Sequence, residues 1–421
     1  MTVSTSQTCA VKLKGLKKAY LIFAFGFGFS GFQLLLLVLH GTGFGYASRI
    51  ITVPYRMGFL AFSLVLILYG ISARSFSRLG ALWIPFLIFW FLYFLRITMD
   101  GYLFHVPLGH PPIEYVQKSV GVVFIPCFLF LMRLGYRENA LALKAFWTVH
   151  IVCLVFALVS YQDFIGMSYR SLRYSSIDAS TLMSSINLSY IGAVAAVVSF
   201  QLLLMEFTYL KRTGRLLFLS VTLFGGMVVT IFGSTRSALI AWVFTSVVII
   251  FKSGSKRHKV RQALIVAGSV LAIGIVSYAL MEKIGSGMVG RYKTLGRQIA
   301  VGDPDAGSGR LTIYRNVFEQ ILQEPLLGSG LEERHSRTYP HNHVLEAFMA
   351  TGFIGGVCFV ILCWTALKKS FLILHKYKTY GWIACYFLVI FMRGFFSSSI
   401  IDPDLWYSMV AIHSVPTHKK G

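Results

Sequence analysis

Arg236 stands in the run Gly233-Ser234-Thr235-Arg236-Ser237, where two apolar stretches nearly touch. A guanidinium at the edge of lipid is costly and ordinarily faces a cavity or a partner, and its planar fork of donors fits a phosphate bidentately. The hydroxyls of Ser234, Thr235 and Ser237 beside it favour a fixed anion site. The plain alternative is an arginine that snorkels to lipid phosphate. Arg310 follows Gly307-Ser308-Gly309 at the head of a helical pattern, so backbone donors and a guanidinium can converge on one anion. Glycine-led helices with an exposed first-turn arginine are common surface features too. Arg291, Lys293, Arg297 and Arg315 add positive charge to the same segment.

His341 lies in Tyr339-Pro340-His341-Asn342-His343, immediately before an apolar run. With an ordinary pKa near 6.5, an imidazole there can take a proton from a hydroxyl at neutral pH, or it can simply sit at the interface or cap a helix. Asn342 and Glu346 are placed to orient the ring or a substrate. His341 and His343, two apart, point to different faces of a helix, and no Cys or carboxylate triad accompanies them, so no metal site is expected. Asp402 and Asp404 precede the last apolar run, where they can pair with Arg393 or hold His341. Asp402 before Pro403 also reads as a helix N-cap. No Walker loop and no nucleotide fold is present, so no cofactor is expected and any activated donor must arrive ready-made.

These residues need elements to hold them, and composition says which. Hydrophobic residues make up 56% of the 421 and charged residues 13%, with mean hydropathy +0.68; soluble domains average about 25% charged. Continuous apolar runs exclude a transmembrane β-barrel, and disorder, coiled coil and a disulfide scaffold are excluded as well. Of the six cysteines only Cys9 lies outside the apolar runs, and none has metal-ligand spacing. A crossing helix takes about 20 apolar residues. The sequence predicts a single all-α polytopic membrane domain over residues 1–421. Its spans fall near 20–39, 57–73, 80–97, 115–132, 141–161, 186–206, 215–232, 236–251, 262–281, 343–366, 379–393 and 398–414, about twelve in all. The first run, preceded by Lys12, Lys14, Lys17 and Lys18, reads as an uncleaved signal anchor.

The formal charge of +23 reads first as topology and contact with anionic lipid, not as nucleic-acid binding. One alternating set of segments holds 23 Lys or Arg, against eight in or beside the short loops of the other set. By the positive-inside rule the first set is cytoplasmic, with both termini. The long segment 282–342 then lies outside, between late spans, and is expected to form part of an active site. Within it, Ile313, Val317, Phe318, Ile321 and Leu322 recur at helical spacing over Leu311 to Gln323, a helix with one apolar face that packs on the bundle or lies in the interface plane.

Taken in order, Ser234-Thr235-Arg236, Arg310, Pro325-Leu326-Leu327-Gly328-Ser329-Gly330, His341-Asn342 and Gly352 resemble the O-antigen ligase and O-antigen polymerase superfamily. The layout of about twelve helices and one long periplasmic loop is similar throughout, while the residue matches fall within 233–356. The resemblance implies a metal-independent, inverting glycosyltransferase of the bacterial inner membrane, working at its periplasmic face. Its donor would be a glycan on undecaprenyl diphosphate and, for a ligase, its acceptor a sugar hydroxyl of lipid A core. Arg236 and Arg310 would hold the diphosphate and His341 would activate the acceptor, with Ser234, Asn342, Glu346 and Asp402 lining the substrate site. Members often carry Glu nine residues after that His, where this chain has Ala350, and some have His at the place of Tyr339 or Glu at that of His343. A polymerase or a protein-glycan ligase of the same superfamily would differ only in acceptor. A transporter of lipid-linked sugar would show related halves and ionisable groups at the bilayer midplane; here they gather at one face.

Overall fold

In lipid, a continuous apolar run satisfies its backbone by coiling into helix, and among the described residues the computed structural model is helical where the runs predict it. It describes residues 17–41, 48–70, 77–160, 185–209, 213–233, 235–253 and 310–416, with Gly15 and Gly268. The helices are α1 (Lys17–Leu39), α2 (Ser48–Gly70), α3 (Leu79–Leu103), α4 (Pro112–Leu131), α5 (Tyr136–Ser160), α6 (Ser185–Tyr209), α7 (Thr213–Phe232) and α8 (Arg236–Ser253). After these come α9 (Arg310–Gln323), α10 (His343–Lys376), α11 (Gly381–Gly394) and α12 (Pro403–Ser414). The only β pairing among the described residues is one bridge, Glu333 to Thr338.

Eight of the described helices, α1 to α7 and α10, are long and apolar enough to cross a membrane. At the C-terminal end two of the predicted spans are short. α11 has 14 residues and α12 has 12, about 21 and 18 Å against roughly 30 Å of hydrocarbon. Both are packed on all sides, with Trp382 to Val389 and Leu405 to Ile412 buried. A helix enclosed by protein can end short of the membrane surface because neighbours satisfy its ends. The predicted span 262–281 and residues 282–309 lie outside the described residues.

α10 departs in the other direction. Its 34 residues are about 51 Å long, and they divide at Gly352, where φ is 64° and ψ is −166°. The 24 residues after that break, about 36 Å, are enough to cross lipid on their own.

Polar contacts sort the helix ends into two groups. At one end Lys17 meets Glu138 at 2.6 Å, the Asn139 amide donates to Thr379 O at 2.9 Å, and that of Gln201 donates to Lys378 O at 3.0 Å. At the other end Gly109 N donates to Glu332, and the start of α8, the 325–342 segment and the 394–402 turn meet. The two groups hold the two sets of segments that the charge bias separates.

Candidate active site

The α11–α12 connection is the centre of that second end. Phe396 N and Ser397 N both donate to Arg393 O, at 3.0 and 2.9 Å, and Asp402 N donates to Ser399 O at 3.0 Å, winding the chain into a tight turn. Asp402 caps α12 by accepting from Asp404 N at 3.1 Å, and its other oxygen accepts from the Ser398 hydroxyl. Arg393, with 13% of its side chain exposed, lies 3.7 Å from both Asp402 and Asp404. It donates to Asn187 Oδ1 at 3.1 Å and sits 5.1 Å above the Tyr190 ring. Of the roles open to Asp402, the structure therefore displays cap and ion pair.

Three other helix starts converge on this turn. α8 begins with Thr235 O accepting from Ala238 N at 3.1 Å, and Ser237, next to half-buried Arg236, lies 3.0 Å from the Ser397 hydroxyl. α9 begins with Arg310, whose Nη1 donates to Phe396 O. α10 begins at the cap Asn342, whose Oδ1 accepts from Val344 N at 3.0 Å and Leu345 N at 3.2 Å. From its first turn, buried Glu346 accepts from the Ser399 hydroxyl at 2.6 Å and from Ile400 N at 2.8 Å. Helix N-termini carry partial positive charge, so this convergence, with two half-buried arginines at its edge, makes this end of the bundle favourable to an anion.

His341 stands beside it in an unusual conformation. Its φ is 56°, a left-handed value that costs a non-glycine residue about 1–3 kcal/mol and clusters at functional sites. The ring packs edge-on against Tyr339 at 4.4 Å. Its Nδ1 is buried without a hydrogen-bond partner among the described residues. Burial pushes the imidazole down to about pKa 4, and the Arg310 charge pushes the same way. It is therefore neutral at physiological pH and within electrostatic reach of Arg310. His343 packs on the inner side of the same turn: it is buried against Gly394, where any side chain would overlap the ring, and within electrostatic reach of Asp402 and Arg393.

The Pro325–Gly330 segment has a structural task. Ser329 N and Gly330 N donate to Met349 O at 2.8 and 3.3 Å, and Phe353 N donates back to Pro325 O at 2.6 Å, filling the break in α10. Gly328, at φ 84°, and Gly352 press backbone on backbone, with no room for a Cβ on either. Buried Arg96 donates to Leu327 O at 3.2 Å and to Gly328 O, and pairs with Asp100 at 3.2 Å. Asp100 also accepts from Leu331 N at 2.8 Å. This clamp fixes α9 and His341 relative to α10.

α9 packs on α10 as one of its two expected placements, but not with the expected face. Val317 is buried and Ile313 and Ile321 are half-buried, whereas Phe318 and Leu322 are exposed and Gln320 is buried. The Gln320 amide donates to Glu332 O at 3.2 Å and its oxygen accepts from Arg334 N at 3.2 Å, which makes that polar burial tolerable.

Of the candidate residues, the structure thus gathers Arg310, His341 and the α8 start that carries Arg236. It places Asn342, Glu346 and Asp402 as supports of the helix starts. Ser234 and Gly307-Ser308-Gly309 lie outside the described residues. The sequence names Arg393 as a partner for Asp402 and Asp404, and the structure places it there; nothing in the sequence points to Ser397 or the Phe396 carbonyl. Among the described residues no group of three His, Cys, Asp or Glu could hold a metal ion.

A family model described as O-antigen ligase matches residues 218–360, from within α7 through α8 and α9 into α10. The match agrees with the resemblance to the O-antigen ligase and O-antigen polymerase superfamily read from the motifs, and it covers Arg236, Arg310 and His341. No curated protein matches the chain.

Proposed function

We propose that this chain is an O-antigen ligase. It transfers a polysaccharide from undecaprenyl diphosphate to a sugar hydroxyl of lipid A core, as a metal-independent inverting glycosyltransferase. The observation that carries the reading is the convergence of the α8, α9 and α10 starts on the 394–402 turn, with Arg310 bonded to that turn and a neutral His341 beside it. The chain acts as one transmembrane domain of about twelve spans in the bacterial inner membrane, the lysine- and arginine-rich ends in the cytoplasm. Residues 282–342 contribute to a periplasmic site.

In this reaction Arg236 and Arg310 hold the donor diphosphate and offset the charge that grows on it as the glycosidic bond breaks. The acceptor oxygen attacks the anomeric carbon from the opposite face and passes its proton to the His341 imidazole. The bonding pair leaves with the diphosphate, already a stable anion, so no general acid is required. Donor binding also improves the base. Anion charge beside Arg310 cancels the cation that, after burial, depresses His341.

Purified protein, lipid-diphosphate-linked glycan and core lipid, incubated in detergent with EDTA, should give core lipid of retarded gel mobility. Lengthened donor glycan with unchanged core lipid would identify a polymerase, and no transfer to either would overturn the reading.

A further inference from the structure

The face that α9 turns away from the bundle carries a stripe of apolar side chains with the exposed Arg315–Glu319 pair along one edge of it. Leu311, Phe318 and Leu322 line it, Leu326 continues it, and it runs into Phe353 and Ile354 of α10; all six are between 45% and 65% exposed. An apolar surface of this kind on a protein marks an interaction site. Its continuity with the lipid-crossing part of α10 indicates the occupant. The clamp bonds Pro325 O to Phe353 N at 2.6 Å, so α9 leaves the clamp level with the first residue after the α10 break. The depth of that level follows from two facts. The portion 353–376 suffices to cross the hydrocarbon, and the half-exposed ion pair Arg334–Glu324, 3.2 Å, lies beside the clamp, where charges belong in headgroups or water.

We infer that α9 lies in the outer membrane interface with Leu311, Phe318 and Leu322 seated among lipid acyl chains, held at that depth by the Pro325–Gly330 clamp on α10. The flanking pair Arg315–Glu319, 3.0 Å apart and exposed, then reaches up to the headgroups. The helix starts at Arg310, so its seating sets that guanidinium at headgroup level, where the phosphates of any lipid-carried anion travel. Only this last consequence rests on the proposed function.

The full chain, with Cys9 and Cys358 changed to Ser, would be reconstituted in phosphatidylethanolamine/phosphatidylglycerol vesicles carrying an environment-sensitive fluorophore at Leu311→Cys, Phe318→Cys or Leu322→Cys. Ser336→Cys, in an exposed stretch of the same segment, is the aqueous reference. The three α9 positions should show blue-shifted emission that doxyl-labelled acyl chains extinguish and iodide leaves intact, with the opposite response at Ser336→Cys. Iodide quenching at the α9 positions would make the face solvent-exposed and overturn the inference. Insensitivity to both quenchers would mean that protein covers it, and would overturn it equally. Each arm reads depth and not transfer, so loss of the proposed activity leaves the result standing.

Discussion

Arg96 and Arg310 lie at the same end of the bundle, and both guanidiniums donate to carbonyls of a connecting segment, yet they are differently balanced. Arg96 is buried, paired with Asp100 and bonded to Leu327 O and Gly328 O. Its charge is matched inside the protein. Arg310 is half-buried and donates to the Phe396 carbonyl, with no carboxylate at ion-pair distance among the described residues. On the proposed function, the contrast separates an arginine that closes a structure from one whose charge is left for the donor. The histidines differ as well, in exposure and backbone though not in pairing: each keeps one buried ring nitrogen without a partner among the described residues, but His343 is locked in the bundle whereas His341 is part-exposed and in a left-handed conformation.

The histidine pair offers the largest test. General base catalysis usually contributes about 10²- to 10⁴-fold, so His341→Ala should lose turnover by that order while donor affinity persists. His343→Ala should reduce yield or melting temperature, with turnover per folded molecule near normal. A severe turnover loss in His343→Ala beside a mild one in His341→Ala would transfer the base role. For the arginines, removing one partner of a buried pair costs about 3–5 kcal/mol. Arg96→Ala should therefore lower the thermal transition steeply or abolish expression. Arg310→Ala should keep the transition and lose transfer by at least about tenfold, since a charged hydrogen bond is worth about 1.5–3 kcal/mol. Arg310→Lys should rescue poorly, because a point charge lacks the fork. If Arg310→Ala melts like Arg96→Ala, the contrast between them fails.

A pH profile sharpens the coupling between Arg310 and His341. The base works unprotonated, so rate falls as pH drops through the imidazole pKa. In the free protein that pKa is depressed to about 4, and a bound anion at Arg310 raises it. The acid limb of kcat at saturating donor should lie at higher pH than the limb of kcat/KM for donor, and coincident limbs would sever the link. Because the folded pKa is below the ordinary value, this group also withdraws stability as pH falls from about 6.5 toward 4. Asn342→Ala carries a smaller effect, about 1 kcal/mol of stability from a lost cap, readable as a lower melting temperature with donor affinity retained. The smallest expected effect is that of prolonged EDTA, which should leave the purified protein's rate unchanged; restoration of a lost rate by Mg²⁺ or Mn²⁺ would overturn the mechanism.

Much of the fold was legible because lipid imposes a simple rule. Apolar runs of sufficient length become helix, and eleven of the predicted spans have helical counterparts among the described residues. What the runs at α11 and α12 did not reveal is that these helices are short and enclosed, because hydropathy cannot tell a helix facing lipid from one wrapped by protein. At α9 the spacing groups Phe318 and Leu322 with Val317 on one face, while the fold buries Gln320 and turns the two larger side chains out.

The sequence by itself determined the residue types at the site: guanidiniums at the heads of apolar or amphipathic helices, an imidazole before a span, and the glycines of Pro325–Gly330 and at Gly352. Each was visible because its local cost in lipid or in backbone conformation demands a reason. Tertiary structure alone decided their roles. It brought three helix starts from distant parts of the chain onto one turn, assigned Glu346 to Ser399 and Ile400 and Asp402 to Arg393, and left a His341 nitrogen without a partner among the described residues. Those assignments depend on which groups meet across long loops. Only packing sets that meeting, and spacing along a helix carries no record of it.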